Sequence, residues 1–301
     1  MIKVVTDSVA SLPKDLAEQE GIEVVTLYIN ENGHEHEDAN MDLDDFYSRI
    51  YDMADNPPKS SQPSQSYLEE LFERIAKAGD ELLGVFISTG LSGAYDGALR
   101  AARAVESRNI NFKYCMIDSS SCCFDEAFSA LEGARAVREG KTLKEAAHAV
   151  LEAIKCTRFL FTPESLTFLQ KGGRIGGAAA LVGNLVRLAP VLTVTDGHAD
   201  THSKVRTRKK ALLKIQEILE ADIEQYGGLK DLVVHYIGDK KPAVEWAKEV
   251  FEPMLNRAVR VLPASPVIGM HVGPAVGISY QCNKPLANKF NGDINSLAVA
   301  N

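Results

Sequence analysis
The residues best suited to chemistry gather just after short apolar runs. Ser88-Thr89-Gly90-Leu91-Ser92-Gly93-Ala94 follows Leu82–Ile87, and small or apolar residues then recur at Ala94, Ala98, Ala101, Ala102 and Val105. That spacing predicts a helix with a buried stripe, preceded by a buried strand. A strand, a Gly/Ser turn and a helix aim free backbone N–H groups and the positive end of the helix at the turn. Ser92 and Gly93 therefore suit an anionic head group, phosphate or carboxylate. The same turn binds nothing where no cleft faces it. A second hydroxyl-rich loop, Asn56 to Ser64, carries Ser60, Ser61 and Gln62 between prolines and precedes another amphipathic stretch. Ser64 or Ser66 caps that helix, with Glu69 completing a capping box, but capping does not account for Ser60 and Ser61. Asp7-Ser8 and Asp118-Ser119 end two further apolar runs, where open α/β sheets place their ligands. Arg174 follows the pair Gly172-Gly173 and precedes the small-residue run Gly176–Ala180, which suits either a clamped acid or a solvated arginine in a tight turn.

Other chemistries find less support. Gly90-Leu91-Ser92-Gly93-Ala94 looks like a serine hydrolase elbow with its last glycine replaced, and Asp118 and His271 follow in hydrolase order. An esterase using Ser92 is thus the alternative to a binding protein. No G-x-x-x-x-G-K-[ST] or G-x-G-x-x-G loop is present for a nucleotide. His34 and His36 flank Glu35, but on a strand both imidazoles share one exposed face with no evident third ligand, so no metal is expected. A net charge of -8 argues against nucleic acid and anionic membranes. Five cysteines without a CxxC form neither a zinc set nor a disulfide framework. The start lacks the pattern of a signal peptide and no apolar run is long enough to span a bilayer, so a cytoplasmic protein without stable membrane insertion is expected.

Several elements must position these residues. Ile2–Thr6, Ile22–Tyr28, Leu82–Ile87 and Phe112–Ile117 read as strands. Helices are expected at Pro13–Gln19 with Ser11 as cap, Asp42–Met53, 127–138 and Leu143–Ile154. The alternation predicts a parallel α/β sheet. After Cys156 the pattern changes. Phe159–Phe161 is a strand, then Thr162 as cap, Pro163 at the first position and Gly172 past the end predict a short helix. Val191–Thr195 and Lys204–Arg206 flank Asp196-Gly197 as a hairpin-like pair. Helices over Lys209–Tyr226 and Ala243–Leu255 are interleaved with strands Leu232–Ile237, Val259–Leu262 and Val276–Tyr280, giving a mixed or antiparallel sheet. The expected division is a parallel domain over 1–155, a second α/β domain over 156–283 and a tail over 284–301.

In order, Thr6-Asp7-Ser8, Ser61-Gln62-Pro63-Ser64, Gly90-Leu91-Ser92-Gly93 with Tyr95, Leu169–Ile175, Val205-Arg206-Thr207 and His271-Val272-Gly273-Pro274 resemble the DegV family of bacterial fatty-acid-binding proteins over residues 2–282. That family includes the acyl-carrying subunits of the bacterial fatty acid kinase. The resemblance implies a Rossmann-like first domain, a second α/β domain, and a long-chain fatty acid in a tunnel with its carboxylate at the domain junction. No cofactor and no catalysis are implied. Ser60 stands where the family usually has Thr, and Ser92 is the serine of the central loop. Ser61, Gly93, Arg174 and His271 fall beside the head group, with Asp7, Ser8, Asp118, Ser119 and Gly173 near it. Arg206 resembles an arginine implicated in docking a dihydroxyacetone-kinase-like partner, which would make the acyl phosphate for phospholipid metabolism. Ala275 departs from the family's usual Gly. Cys122-Cys123-Phe124-Asp125-Glu126 departs further, from a stretch that is glycine-rich and apolar in the family. Asp125 and Glu126 either cap the following helix or face inward, leaving a shorter tunnel or a polar ligand.

Overall fold
The computed structural model describes residues 1–182 and 188–287, and the backbone of 298–299. The chain begins β1 (Ile2–Asp7), a 3-10 turn (Ser8–Ala10), α1 (Lys14–Glu20) and β2 (Ile22–Val25). An insert follows, made of β3 (Tyr28–Glu31), β4 (His34–Glu37), α2 (Leu43–Ser48) and β5 (Lys59–Ser61). Then come α3 (Gln65–Lys77), β6 (Glu81–Phe86), α4 (Ala94–Arg108), β7 (Tyr114–Asp118), α5 (Phe124–Arg138) and α6 (Leu143–Cys156). The remainder runs β8 (Thr157–Pro163), α7 (Thr167–Lys171), a 3-10 segment (Gly176–Leu181), β9 (Ala189–Thr195), β10 (His198–Val205), α8 (Arg208–Gln225) and β11 (Leu229–Ile237). It closes with α9 (Lys241–Trp246), a π turn, α10 (Glu252–Leu255), β12 (Arg260–Pro263), α11 (Pro266–Val272), β13 (Ala275–Cys282) and β14 (Ala298–Val299).

The fold is α/β, with a parallel sheet followed by a mixed one. The first sheet has order β14-β7-β6-β1-β2, parallel except for the edge strand β14. The second has order β10-β9-β8-β13-β11-β12 and is antiparallel except for the β11–β12 pair. A small sheet, β4-β3-β5, holds the insert. Helix α5 lies between the two large sheets, contacting β1 and β6 on one side and β8 and β13 on the other. It is therefore buried almost all round, including Ala130, Gly133 and Ala134. A Cβ on Gly133 would stand 2.7 Å from Val150 and 3.0 Å from Leu83, so glycine lets α5 and α6 close on the sheet.

Local signals explain most element ends. Thr142 and Glu145 form a capping box on α6, Ser64 caps α3, and Ser265 caps α11 with Pro266 at its first position. Other expectations need correction. Thr162 and Pro163 end strand β8, where Pro163 pairs with Ala275, and the short helix starts only at Thr167. The proline sits on the last strand residue, and its fixed φ serves a strand exit as well as a helix entry. The strand expected over Ile22–Tyr28 breaks at Thr26-Leu27 to leave one sheet for another. Ser11 does not cap α1. Its hydroxyl donates to the Val9 carbonyl and accepts from the Ser265 N–H at 2.9 Å, tying the two ends of the chain together. The helix expected from 127 begins at Phe124 and that expected over Asp42–Met53 stops at Ser48. The expected tail also contributes β14, antiparallel to β7; its residues 288–297 lie outside those described. No helix among the described residues is long and apolar enough to cross a membrane.

Candidate functional site
Four segments bring polar side chains to one cavity of about 70 Å³: the loop after β6, strand β5, the turn after α7, and α11. Its walls are apolar, with Val9, Leu27, Ile87, Cys122, Phe159 and Phe161 prominent. Among the described residues its polar lining is Ser60, Ser92, Arg174 and His271. Ser60 Oγ lies 2.9 Å from His271 Nε2. His271 Nδ1 is buried with no hydrogen-bond partner among the described residues. A Cβ at Gly172 would stand 2.5 Å from that nitrogen, so the glycine is what lets the ring in. Burial, and then the positive charge of Arg174, push the His271 pKa down to about 4, so the ring is neutral at pH 7. Gly173 adopts φ +72° and turns the chain so that Arg174 N–H meets the Leu169 carbonyl. The guanidinium donates to the Gly172 carbonyl at 2.6 Å and the Leu91 carbonyl at 3.2 Å. Two of its five donors are thereby fixed and the rest remain for a ligand. Ser92 Oγ accepts from the Ala94 N–H, and Gly93 is the cap residue of α4. A Cβ on Gly93 would stand 2.9 Å from Gln62 Oε1, so its absence seats the Ser60 loop against the α4 terminus. A fixed cation, two hydroxyls and a neutral imidazole at one end of an apolar cavity make a set of donors for an oxyanion.

The remaining expected residues divide into frame and surface. Asp7 Oδ1 accepts from the Val9 N–H and Oδ2 from the Ile87 N–H, both at 2.9 Å. Asp7 thus holds two wall residues without entering the cavity. Ser8 Oγ accepts from the Leu27 N–H at 3.0 Å. Asp118 accepts from Thr89 and the Ser120 N–H, and Ser119 Oγ donates to the Ser121 carbonyl. Ser61 turns outward and donates to Glu35 at 2.9 Å. It follows Ser60 on β5, and successive strand residues face opposite ways. Arg206 is exposed just past β10. The hydrolase arrangement is not assembled, since His271 pairs with Ser60 and Asp118 with Thr89 and Ser120. His34 and His36 are exposed on β4, and no cluster among the described residues is arranged to hold a metal ion.

Sequence reasoning missed the walls and one acid. Val9, Leu27, Cys122, Phe159 and Phe161 come from separate elements and carry no shared local signal. Asp38 is buried and accepts from the Val267 N–H at 2.9 Å, at the first turn of α11. The β9–β10 turn docks on the loop after β6 through Ser88 Oγ donating to the Gly197 carbonyl at 2.9 Å. A Cβ on Gly90 would lie 2.5 Å from that carbonyl, which is the contact the glycine permits.

A second polar group sits behind the cavity. Asp125 and Glu126 are 1% and 0% exposed, in the first turn of α5. They face inward. Thr6 Oγ1 donates to Glu126 Oε1 at 3.1 Å, Ser121 Oγ donates to Asp125, and Glu126 Oε2 has no hydrogen-bond partner among the described residues. Burial, reinforced by Asp7, pushes the Glu126 carboxyl well above its usual range. Burial pushes Asp7 up to about 7 against the pull of its two N–H donors, and Asp38 up to about 6.

A family model described as "Uncharacterised protein, DegV family" matches residues 1–283. A DegV domain-containing protein of Clostridium acetobutylicum is 38% identical over 289 residues, spanning 94% of this chain and 98% of its own. Among solved structures, a fatty-acid-binding DegV family protein of Thermus thermophilus is similar with a TM-score of 0.82 at 28% identity, covering 93% of this chain and 99% of its own. A stearic-acid-binding protein of Eubacterium ventriosum is similar with a TM-score of 0.83 at 26% identity, over 94% and 98% of the two chains.

Proposed function
The chain belongs to the DegV family, and from that premise we propose that it is a non-catalytic carrier of a fatty acid. The carboxylate sits among Ser60, Ser92, Arg174 and His271, and the acyl group lies in the apolar cavity. The observation that carries this reading is that Ser60 meets His271 while Arg174 holds the carbonyls of Gly172, beside His271, and of Leu91, next to Ser92, in a cavity whose other lining residues are apolar. A carboxylate takes short charge-assisted hydrogen bonds from such donors, while each buried methylene contributes about 0.8 kcal/mol. In this reading residues 1–155 and 156–283 are two domains, the head group lies at their junction, and the protein works in the cytoplasm. The carrier offers one carboxylate oxygen to a partner fatty acid kinase. The kinase transfers the terminal phosphoryl group of ATP to it, giving an acyl phosphate and ADP. Fixing the acceptor oxygen is the carrier's contribution to that transfer. Arg206, exposed and apart from the cavity, serves docking of the kinase.

Titration calorimetry with butanoate, hexanoate, decanoate and hexadecanoate, each against its methyl ester, tests the reading. At least one acid should bind at one per chain and its ester should not. Equal binding of acid and ester, no binding of any acid, or Ser92-dependent hydrolysis of the esters would overturn it.

A further inference from the structure
Resting on the reading of the chain as a fatty acid carrier, we infer that its cargo bears a hydroxyl group on the acyl chain, received by Ser129, His235 and Ser279. These three side chains form a polar strip in the layer between α5 and the mixed sheet. They are 1%, 3% and 0% exposed. Ser129 Oγ, Ser279 Oγ and both ring nitrogens of His235 have no hydrogen-bond partner among the described residues. Buried polar groups in folded proteins are nearly always paired, so four unpaired atoms in one layer point to a polar partner from outside the chain.

Strand alternation gathers the strip. Ser279 pairs with Phe159 on one side and Val233 on the other, and His235 pairs with Gly277, which sets no side chain beside it. Paired residues share a face, and so do residues two apart on one strand. Tyr280, next after Ser279, points the other way and donates to Asp222 of α8. The face of Ser279 and His235 is therefore the one that α5 covers, and the Phe124 ring of α5 lies 6.3 Å from His235. Ser129 stands one turn before Glu132, which reaches Lys230 at the start of β11 at 2.7 Å, so it too faces the mixed sheet.

Phe159 joins this strip to the carboxylate site. Its side chain lines the cavity, its strand partner is Ser279, and its ring meets His235 edge-on at 6.0 Å. An acyl chain that runs inward from the Arg174 corner and past Phe159 meets the strip next. A purely hydrocarbon tail there leaves all four atoms unpaired, at a cost in affinity. A hydroxyl suits them better, because it donates one hydrogen bond and accepts others. Burial pushes the His235 pKa down to about 4, so the neutral ring has one nitrogen that donates and one that accepts, and the serine hydroxyls do either. A ketone only accepts, and so answers fewer of these groups. Thr157, on the same face, is not part of the set, since its hydroxyl already donates to the Ile154 carbonyl at 3.2 Å.

The experiment is a set of dissociation constants on the full chain for octadecanoic acid and its monohydroxy derivatives, with the hydroxyl stepped from beside the carboxyl to the methyl end. At one stretch of the chain the hydroxy acid should bind about tenfold tighter than octadecanoic acid, the worth of one or two buried hydrogen bonds. Elsewhere the hydroxyl should bring no gain. In Ser279→Ala and in His235→Phe the ratio of the two affinities should fall to within about threefold, and the wild-type series decides the matter if either variant fails to fold. No hydroxy acid binding tighter than octadecanoic acid, or a preference that both variants leave intact, overturns the hydroxyl inference and leaves the carrier reading standing. Failure of every acid to bind, hydroxylated or not, removes the carrier reading itself, and this inference with it.

Discussion

Two polar regions stand at the same cavity, one lining it and one behind its walls, and they use their hydrogen bonds differently. The corner of Ser60, Ser92, Arg174 and His271 offers donors, with a cation and unused bonding capacity at His271 Nδ1. The region of Asp7, Asp38, Asp125 and Glu126 offers carboxyls, most of them taken up by backbone N–H groups and hydroxyls of the frame. The first offers an anion a cation and unengaged donors inside the cavity and the second offers it none there, so in the proposed reading a carboxylate has one end of the cavity to occupy. The difference also separates two uses of buried polar groups. Asp7 and Asp38 spend their hydrogen bonds on the N–H groups of Val9, Ile87 and Val267, which fixes the walls. The corner keeps donors in reserve, at the expense of a histidine whose pKa is driven down to about 4.

The largest expected effect breaks the frame side of this comparison. Asp7 is raised from 3.8 to about 7, so the folded protein holds its proton between those values while the unfolded chain has released it. Its contribution to stability is fully present below about pH 4 and is lost as pH rises through 7. In Asp7→Asn that dependence is absent. The stability of the variant relative to wild type should therefore rise from pH 4 to pH 7.5, by up to about 4 kcal/mol. Urea unfolding of both proteins across this range is the check, and parallel profiles would contradict it. Next in size is the donor side. Arg174→Ala should weaken binding of the fatty acid by about tenfold to a hundredfold, the loss of charged hydrogen bonds, without altering circular dichroism. Ser60→Ala and Ser92→Ala should each weaken it by about fivefold, one neutral hydrogen bond. A loss in Ser92→Ala as large as in Arg174→Ala would redraw the corner. The smallest effects sharpen the boundary: Ser61→Ala and Arg206→Ala should leave fatty acid binding within about twofold, as surface changes do, while Arg206→Ala slows acyl-phosphate formation in a coupled kinase assay.

How much of this was legible in the sequence depends on the range of the signal. The strand and helix alternation up to Ile154 follows from local periodicity, and so does the loop after β6 that carries Ser92. Ser60 and Ser61 show where that stops. With the segment read as a loop, nothing distinguished them. Once Lys59–Ser61 pairs with β3, one hydroxyl faces His271 and the other Glu35. Thr162-Pro163 carried a helix-entry signal that tertiary pairing with β13 overrode. Asp125 and Glu126 were open to two readings because first-turn acids suit a helix N-terminus whether it is solvated or buried. What decides is that α5 is covered by a sheet on each side, a fact of assembly that no window around residue 125 contains. The apolar walls come from strands and helices far apart in sequence, so the size of the cavity was not readable at all.

The central claim is that an ionised carboxylate rests against Arg174. A fatty acid that binds the wild type, labelled with carbon-13 at the carboxyl and titrated by NMR from pH 4 to 8 on wild type and Arg174→Ala, addresses it directly. The account predicts that the bound acid titrates below the free acid in wild type and moves back toward it in the variant, because a neighbouring cation favours the charged form. A bound carboxyl that titrates at or above the free acid, or identically in the two proteins, would contradict it.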